Sequence, residues 1–181
     1  LRQSAIGRAF DAVNPFSAAV NAYDAVIIDS ASTASQVGHF MLALGWLALM
    51  LGIARAAIDE AWGYAQERVQ FGKAIAGHQA VAHRLVTART KLEACRHMLY
   101  HAANLANDGK PCGVETSMAK LFIADTGVEI ALACQQVMGA YALSDAYDID
   151  RNVRDLLGMP IVGGSSDMQR NNLAGLWRLK G

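Results

Sequence analysis

A chain of 181 residues has the length of one domain with room for a short piece of a neighbour. Its side chains are 53% apolar and 18% charged, which supplies ample core, and sixteen basic groups cancel sixteen acidic ones. That balance argues against a nucleic-acid footprint, which needs surplus Lys and Arg on one face, and so much apolar side chain points to surface covered by a partner or a cofactor.

Residues 1–34 read differently from the rest. Asn14-Pro15 marks a turn, and Asp24 to Asp29 has the β-branched run of a short strand. No signal-peptide pattern opens the chain and its first residue is Leu1, as expected of a processed or proteolytic piece. From Ser35 a 3.6-residue period takes over and predicts a helix to about Arg68, apolar around most of its circumference and so buried on several sides. Within it, the uncharged run from Phe40 to Ala54 is too short to cross a bilayer and reads as a core segment, not a membrane span.

Gly72 and Gly77 bracket a short connection to a second predicted helix, His78 to Asn107, with Leu85, Leu92, Cys95, Leu99 and Ala102 on one side. Asp108-Gly109-Lys110-Pro111 stops it, because Gly suits the left-handed position after a helix and Pro cannot continue one. A third helix is predicted over Val114 to Met138, then a loop over 139–148, a short helix over 149–157, a Gly-rich turn over 158–166 and a last helix over 167–179. No repeat or low-complexity segment interrupts them. Three long antiparallel helices with short links predict an all-α, up-and-down helical bundle over 35–181.

Cys95, Cys112 and Cys134 are odd in number and lack metal-ligand spacing, which predicts free thiols in a reducing, cytoplasmic setting. His97 and His101 stand at i and i+4, a spacing that suits a metal, but no third ligand lies near them, so no metal site is expected. Asp150, Arg151, Arg154 and Asp155 read as structural ion pairs, and Trp46 and Trp62 as core or interface residues.

Four stretches narrow the reading. They are Tyr64-Ala-Gln-Glu-Arg68-Val-Gln-Phe71-Gly72-Lys73-Ala-Ile75 with His78-Gln79; Met118-Ala-Lys120; Gln136-Val-Met-Gly139 through Arg154-Asp155; and Gly164-Ser165-Ser166-Asp167-Met-Gln169-Arg170-Asn171. In order and spacing they resemble the C-terminal helical domain of the acyl-CoA dehydrogenase family, over about residues 36–176. The resemblance implies a three-domain flavoenzyme, an oxidoreductase acting on CH–CH groups in fatty acid metabolism. Its reaction would be α,β-dehydrogenation of an acyl-CoA thioester with FAD as hydride acceptor. It also implies a homo- or hetero-oligomer with FAD across a subunit boundary, and residues 21–32 as the last strand of a β-rich middle domain.

By the same resemblance, Arg68 reaches the FAD pyrophosphate of a neighbouring subunit, the alternative being a surface Arg at its own helix end. Phe71 matches the position that packs on the adenine, or is a core aromatic closing the turn. His78 and Gln79 stand beside the cofactor or simply open a helix. Gln136, Gly139 and Ala140 match a loop touching FAD, but the family's Gln-x-x-Gly-Gly-x-Gly has become Gln136-Val-Met-Gly139-Ala140-Tyr141-Ala142, and methyl groups restrict close backbone approach. Ser165 replaces a flavin-contacting Thr and keeps its hydroxyl. Asp167 follows at the helix start, where capping is the alternative, and Gly164 falls at a substrate position.

The family's catalytic Glu is missing from both places it occupies: one is Gly163, and the other, 29 residues before Phe71, is Leu42, followed by Ala43 in place of an Arg. None of these side chains can act as a general base. Two readings follow: a base-less chain that completes a fold and an FAD site, or a non-catalytic oligomerisation partner of an active paralogue. Either flavin reading requires the Arg68–Phe71 turn and the Ser165 turn to meet in one groove at a subunit boundary.

Overall fold

The computed structural model describes residues 33–179, with side chains from Ala43 onward. The strand expected within 1–34 and the side chain of Leu42 lie outside the described residues. Helix α1 spans Thr33–Glu67, α2 Gln79–Asn107, α3 Gly113–Met138, α4 Ile149–Leu157 and α5 Ser166–Leu176. The all-α, up-and-down bundle stands as expected, and the helix boundaries fall close to the periodic pattern.

The core follows from residue size at helical spacing. On α2 the buried side chains are Leu85, Ala88, Leu92, Cys95, Leu99 and Ala102, alternating three and four apart, so they form one stripe. On α1 the small residues Ala54, Ala57, Ala61 and Ala65 are fully buried and let neighbouring helices approach closely. Helix α3 is buried on several sides and packs against each of the other four helices. At Gly127 an added Cβ would stand 3.3 Å from the Leu156 side chain of α4, a tight approach that the absent side chain permits. The stretch Gly113–Leu143 is long and apolar enough by composition to cross a membrane, and half of its most apolar window is buried inside this bundle.

The short links make α2 antiparallel to α1 and α3, and charge pairs lie level across them, Arg89 with Asp59 and Lys91 with Glu129. Helix α2 ends in a Schellman motif: Lys110 N–H donates to the Leu105 carbonyl at 2.9 Å, Gly109 N–H to Ala106 at 3.1 Å, and Gly109 takes φ +67°. On α4 the charged stretch forms pairs as read, Arg154 with Asp150 at 2.7 Å, while Arg151 reaches back to Asp148 at 2.6 Å.

One element was not read from the sequence. Between α1 and α2 the chain forms a hairpin of β1 (Val69–Gln70) and β2 (Lys73–Ala74), in register Val69↔Ala74 and Gln70↔Lys73. Its two-residue loop, Phe71-Gly72, has φ +53° and +79°, the geometry of a type I′ turn.

Candidate functional site

The end of the bundle where α1 and α3 stop and α2 starts gathers the first group. Arg68 continues the last turn of α1, its N–H donating to Tyr64 at 2.8 Å, while its carbonyl accepts from Ile75 at 2.8 Å. Its guanidinium sits over the Tyr141 ring, 5.1 Å from the centroid. Tyr64 in turn packs against Tyr141 at 5.9 Å and Tyr147 at 5.7 Å, and burial pushes its phenol pKa up. Glu60 holds α4 to this end: its Oε1 accepts from Asp148 N–H at 2.8 Å, its Oε2 is buried without a partner, and burial raises its pKa.

Phe71 is 93% exposed, so the core-aromatic alternative is excluded. A left-handed backbone is unfavourable for a side chain of this kind, by roughly 1–2 kcal/mol. That strain holds a bare ring at the hairpin tip, in edge contact with His78 at 6.0 Å. His78 precedes α2 with no side-chain cap, and its Nε2 lies 3.3 Å from the Gln70 carbonyl. Gln79 is exposed beside it, and Gln136 is exposed on the last turn of α3.

The Gly-to-Ala changes in the following turn have a geometric explanation. Among the described residues of the 3₁₀ turn Gly139–Leu143, Gly139 alone has positive φ, at φ +60° and ψ −137°, a region essentially reserved for glycine. Ala140 and Ala142 stand where L-residues are unstrained; Ala142 is fully buried and Ala140 exposed.

The second group lies around the turn before α5. Gly163 and Gly164 have φ +66° and +85°, and a Cβ on Gly164 would stand 2.7 Å from the Gln169 amide nitrogen. Ser165 caps α5, its Oγ accepting from Met168 N–H at 3.2 Å, which leaves its own hydroxyl hydrogen free to donate. Ser166 donates to Asp125 Oδ1 at 2.7 Å, and Arg170 bridges Asp125 and Asp167, both at 2.9 Å, so α3 fixes the turn.

Beside this turn opens a cleft of about 380 Å³ bordered by Gly163, Ala43, Trp46 and Lys120. Gly163 and Ala43, 120 residues apart in sequence, thus border one space. No carboxylate is among its described lining residues. Lys120 is buried and donates to the Met159 carbonyl at 2.8 Å; burial lowers its pKa, with nearby Asp125 opposing the shift.

These groups do not meet within one chain. From Trp46 at the cleft to Arg68, α1 advances by about 33 Å at 1.5 Å per residue. The expected common groove is therefore not formed within one chain; it would need the Arg68 end of one copy beside the Ser165 end of another. Sequence reading missed Tyr141 and Asp125. Tyr64 stands four residues before Arg68 on the same helical face, a signal for the aromatic cluster; Asp125 carried no local signal, because its partners are more than forty residues away.

An up-and-down bundle with a hairpin between its first two helices and a Gly-Gly-Ser turn before its last is an all-α domain of the acyl-CoA dehydrogenase C-terminal type. Residues 28–175 match the family described as acyl-CoA dehydrogenase, C-terminal domain, and the chain belongs to that family. It is 43% identical over 127 residues to an acyl-CoA dehydrogenase of Bacillus subtilis (strain 168), covering 70% of this chain and 34% of that protein. It is 38% identical over 133 residues to the caffeyl-CoA reductase-Etf complex subunit CarC of Acetobacterium woodii, covering 74% and 35%. Among solved structures, butyryl-CoA dehydrogenase from Megasphaera elsdenii matches with TM-score 0.75 at 30% identity over 78% of this chain and 37% of that one. PigA with FAD and proline matches with TM-score 0.76 at 28% identity, covering 80% and 38%. The chain thus spans about a third of the length of these relatives.

Proposed function

We propose that this chain is the C-terminal helical part of an FAD-dependent, acyl-CoA dehydrogenase-like protein of the cytoplasm, working as an oligomer on an acyl-CoA thioester. The observation that supports the reading is the two-ended layout, with Arg68 and Phe71 at one end and Gly164 and Ser165 at the other; in an oligomer each end would supply half of a cofactor site. The residues fit the group. An exposed ring fixed by a strained turn suits an adenine face, and the Arg68 guanidinium keeps a planar fork of donors for a pyrophosphate. His78 and Gln79 at the uncapped start of α2, with Gln136, Gly139 and Ala140, would line that end. At the other end Ser165 can donate a hydrogen bond toward a flavin, with Asp167 held by Arg170. Bound FAD would supply hydride acceptance, while the chain binds, orients and excludes water.

Flavin absorbance in the complete protein, bleached anaerobically by an acyl-CoA, is the expected result. A complete protein that stays colourless and takes up no FAD would overturn the proposal.

A second reading, a non-catalytic partner of an active paralogue, is favoured by one observation, the absence of a carboxylate among the described residues lining the Gly163 cleft. Co-expression separates the two: turnover only in the mixed oligomer supports the partner role, and turnover by this protein alone ends it.

A further inference from the structure

The described lining of the cleft beside Gly163 holds donors and no acid; Glu115 stands in the first turn of α3 but does not line it. Gly113 places the start of α3 on its wall, and no side chain caps that helix end, so a positive end of a 26-residue dipole borders the space. Thr116 lines the same wall, is only 7% exposed, and its buried hydroxyl has no partner. Lys120, one turn further along α3, is 5% exposed. Among the described residues its Nζ donates to the Met159 carbonyl, and an ammonium with three donors has capacity left. Its nearest counter-charge, Asp125, is already engaged by Ser166 and Arg170. Across the cleft, Gln169 and Asn172 present amides from α5.

Buried donors of this kind carry a desolvation cost that an anion would relieve. The cleft volume, about 380 Å³, admits a short aliphatic chain bearing one charged head. The geometry points to a carboxylate-binding site between the α3 N-terminus, Thr116 and Lys120, open at the place where Gly163 has no side chain. The carboxylate belongs either to the acyl chain of a thioester or to a free small acid. The donors named all belong to described residues of this chain, so the proposal does not rest on the flavin reading.

The test titrates the 181-residue chain, followed by backbone-amide NMR shifts. Succinate should bind saturably, with a Kd on the order of 1 mM, and succinamide, its neutral counterpart, should not. Lys120→Met should weaken succinate about tenfold or more. Because Lys120 also ties α3 to Met159, two further variants separate fold from site. Thr116→Val removes a hydroxyl at constant volume and should weaken binding. Gly163→Glu places a competing carboxylate in the cleft, where its Cβ meets open space, and should weaken succinate at least as much as Lys120→Met. Succinyl-pantetheine binding more tightly than both butyryl-pantetheine and succinate assigns the carboxylate to the acyl chain; succinate binding as tightly as the thioester assigns it to a free acid. Either result supports the site. Equal binding of succinate and succinamide, tighter binding of inorganic phosphate, no saturable response, or an unchanged affinity in folded Gly163→Glu each overturns it.

Discussion

The guanidinium of Arg68 sits over the ring of Tyr141, 5.1 Å from its centroid, and this contact joins the end of α1 to the turn that ends α3. An exposed cation–π pair is worth about 0.5–1 kcal/mol. Tyr141 thereby holds a mobile cation where a phosphate would be met, while Tyr64 backs the ring from below. In the complete protein Tyr141→Leu should weaken FAD binding by roughly twofold to fivefold, and Tyr141→Phe should preserve it. Calorimetric titration of the apoprotein with FAD reads both. Equal losses in Phe and Leu would show that the hydroxyl, not the ring face, matters.

Gly139 and Ala140 make a paired test of the loop. Gly139→Ala forces a side chain into a glycine-only conformation and should cost about 1–3 kcal/mol. Ala140→Gly, which restores the family residue, should cost about 0.5–1 kcal/mol through added freedom of the unfolded chain. Urea unfolding of the two variants checks the order; a costlier Ala140→Gly would contradict the loop geometry.

What was legible in the sequence, and what was not, divides by range. The stripe Leu85, Leu92, Cys95, Leu99, Ala102 is a local period, and the stop at Gly109 is local chemistry, so the helices and their limits could be read directly. The hairpin could not, because Phe71 is a poor residue for a left-handed turn and its neighbours form strands of only two residues. Asp125 and Lys120 look like ordinary polar positions of a helix. They acquire roles only when α4 and α5 fold onto α3, bringing Ser166 and Met159 to them across 41 and 39 residues. Ala43 and Gly163 border one cleft for the same reason.

Asp125 of α3 accepts from two groups of α5, the Ser166 hydroxyl and the Arg170 guanidinium. Asp125→Ala strands the part-buried Ser166 hydroxyl and frees Arg170, with an expected loss of about 1–3 kcal/mol. Because the Ser165 turn leans on this tie, hydrogen exchange in 163–170 should accelerate more than elsewhere. A uniform change along the chain would sink the idea that Asp125 fixes this turn.

The buried thiols predict an alkaline instability. Burial pushes Cys95 up to about 11 and Cys134 up to about 12, from an ordinary value near 9. Well below pH 9 both are neutral in folded and unfolded chains alike. As pH rises further the unfolded thiols lose protons first, so the unfolded state binds fewer protons and stability falls with pH, levelling off above about 12. Urea unfolding at pH 8 and 10.5 should show a smaller drop in the double variant Cys95→Ala/Cys134→Ala than in the parent. At pH 8 the folded thiols should also resist iodoacetamide, reacting only after denaturation.

Gly163 offers the sharpest test of the chemistry. It borders the cleft, an added Cβ meets no atom within 4 Å, and no carboxylate lies on the described walls. Gly163→Glu would return an acid to that space at a backbone cost of about 1–2 kcal/mol, from its φ of +66°. In the complete protein, a base positioned there should speed anaerobic flavin bleaching by an acyl-CoA about 10²–10⁴-fold. Gly163→Gln carries the same strain and nearly the same volume but takes up no proton, so it should stay at the parental rate. Acceleration by Glu but not Gln assigns the slow step to proton abstraction at this cleft. Equal rates for parent, Glu and Gln would mean that the cleft does not hold the reacting carbon, and the base, if the protein has one, comes from another part of the assembly.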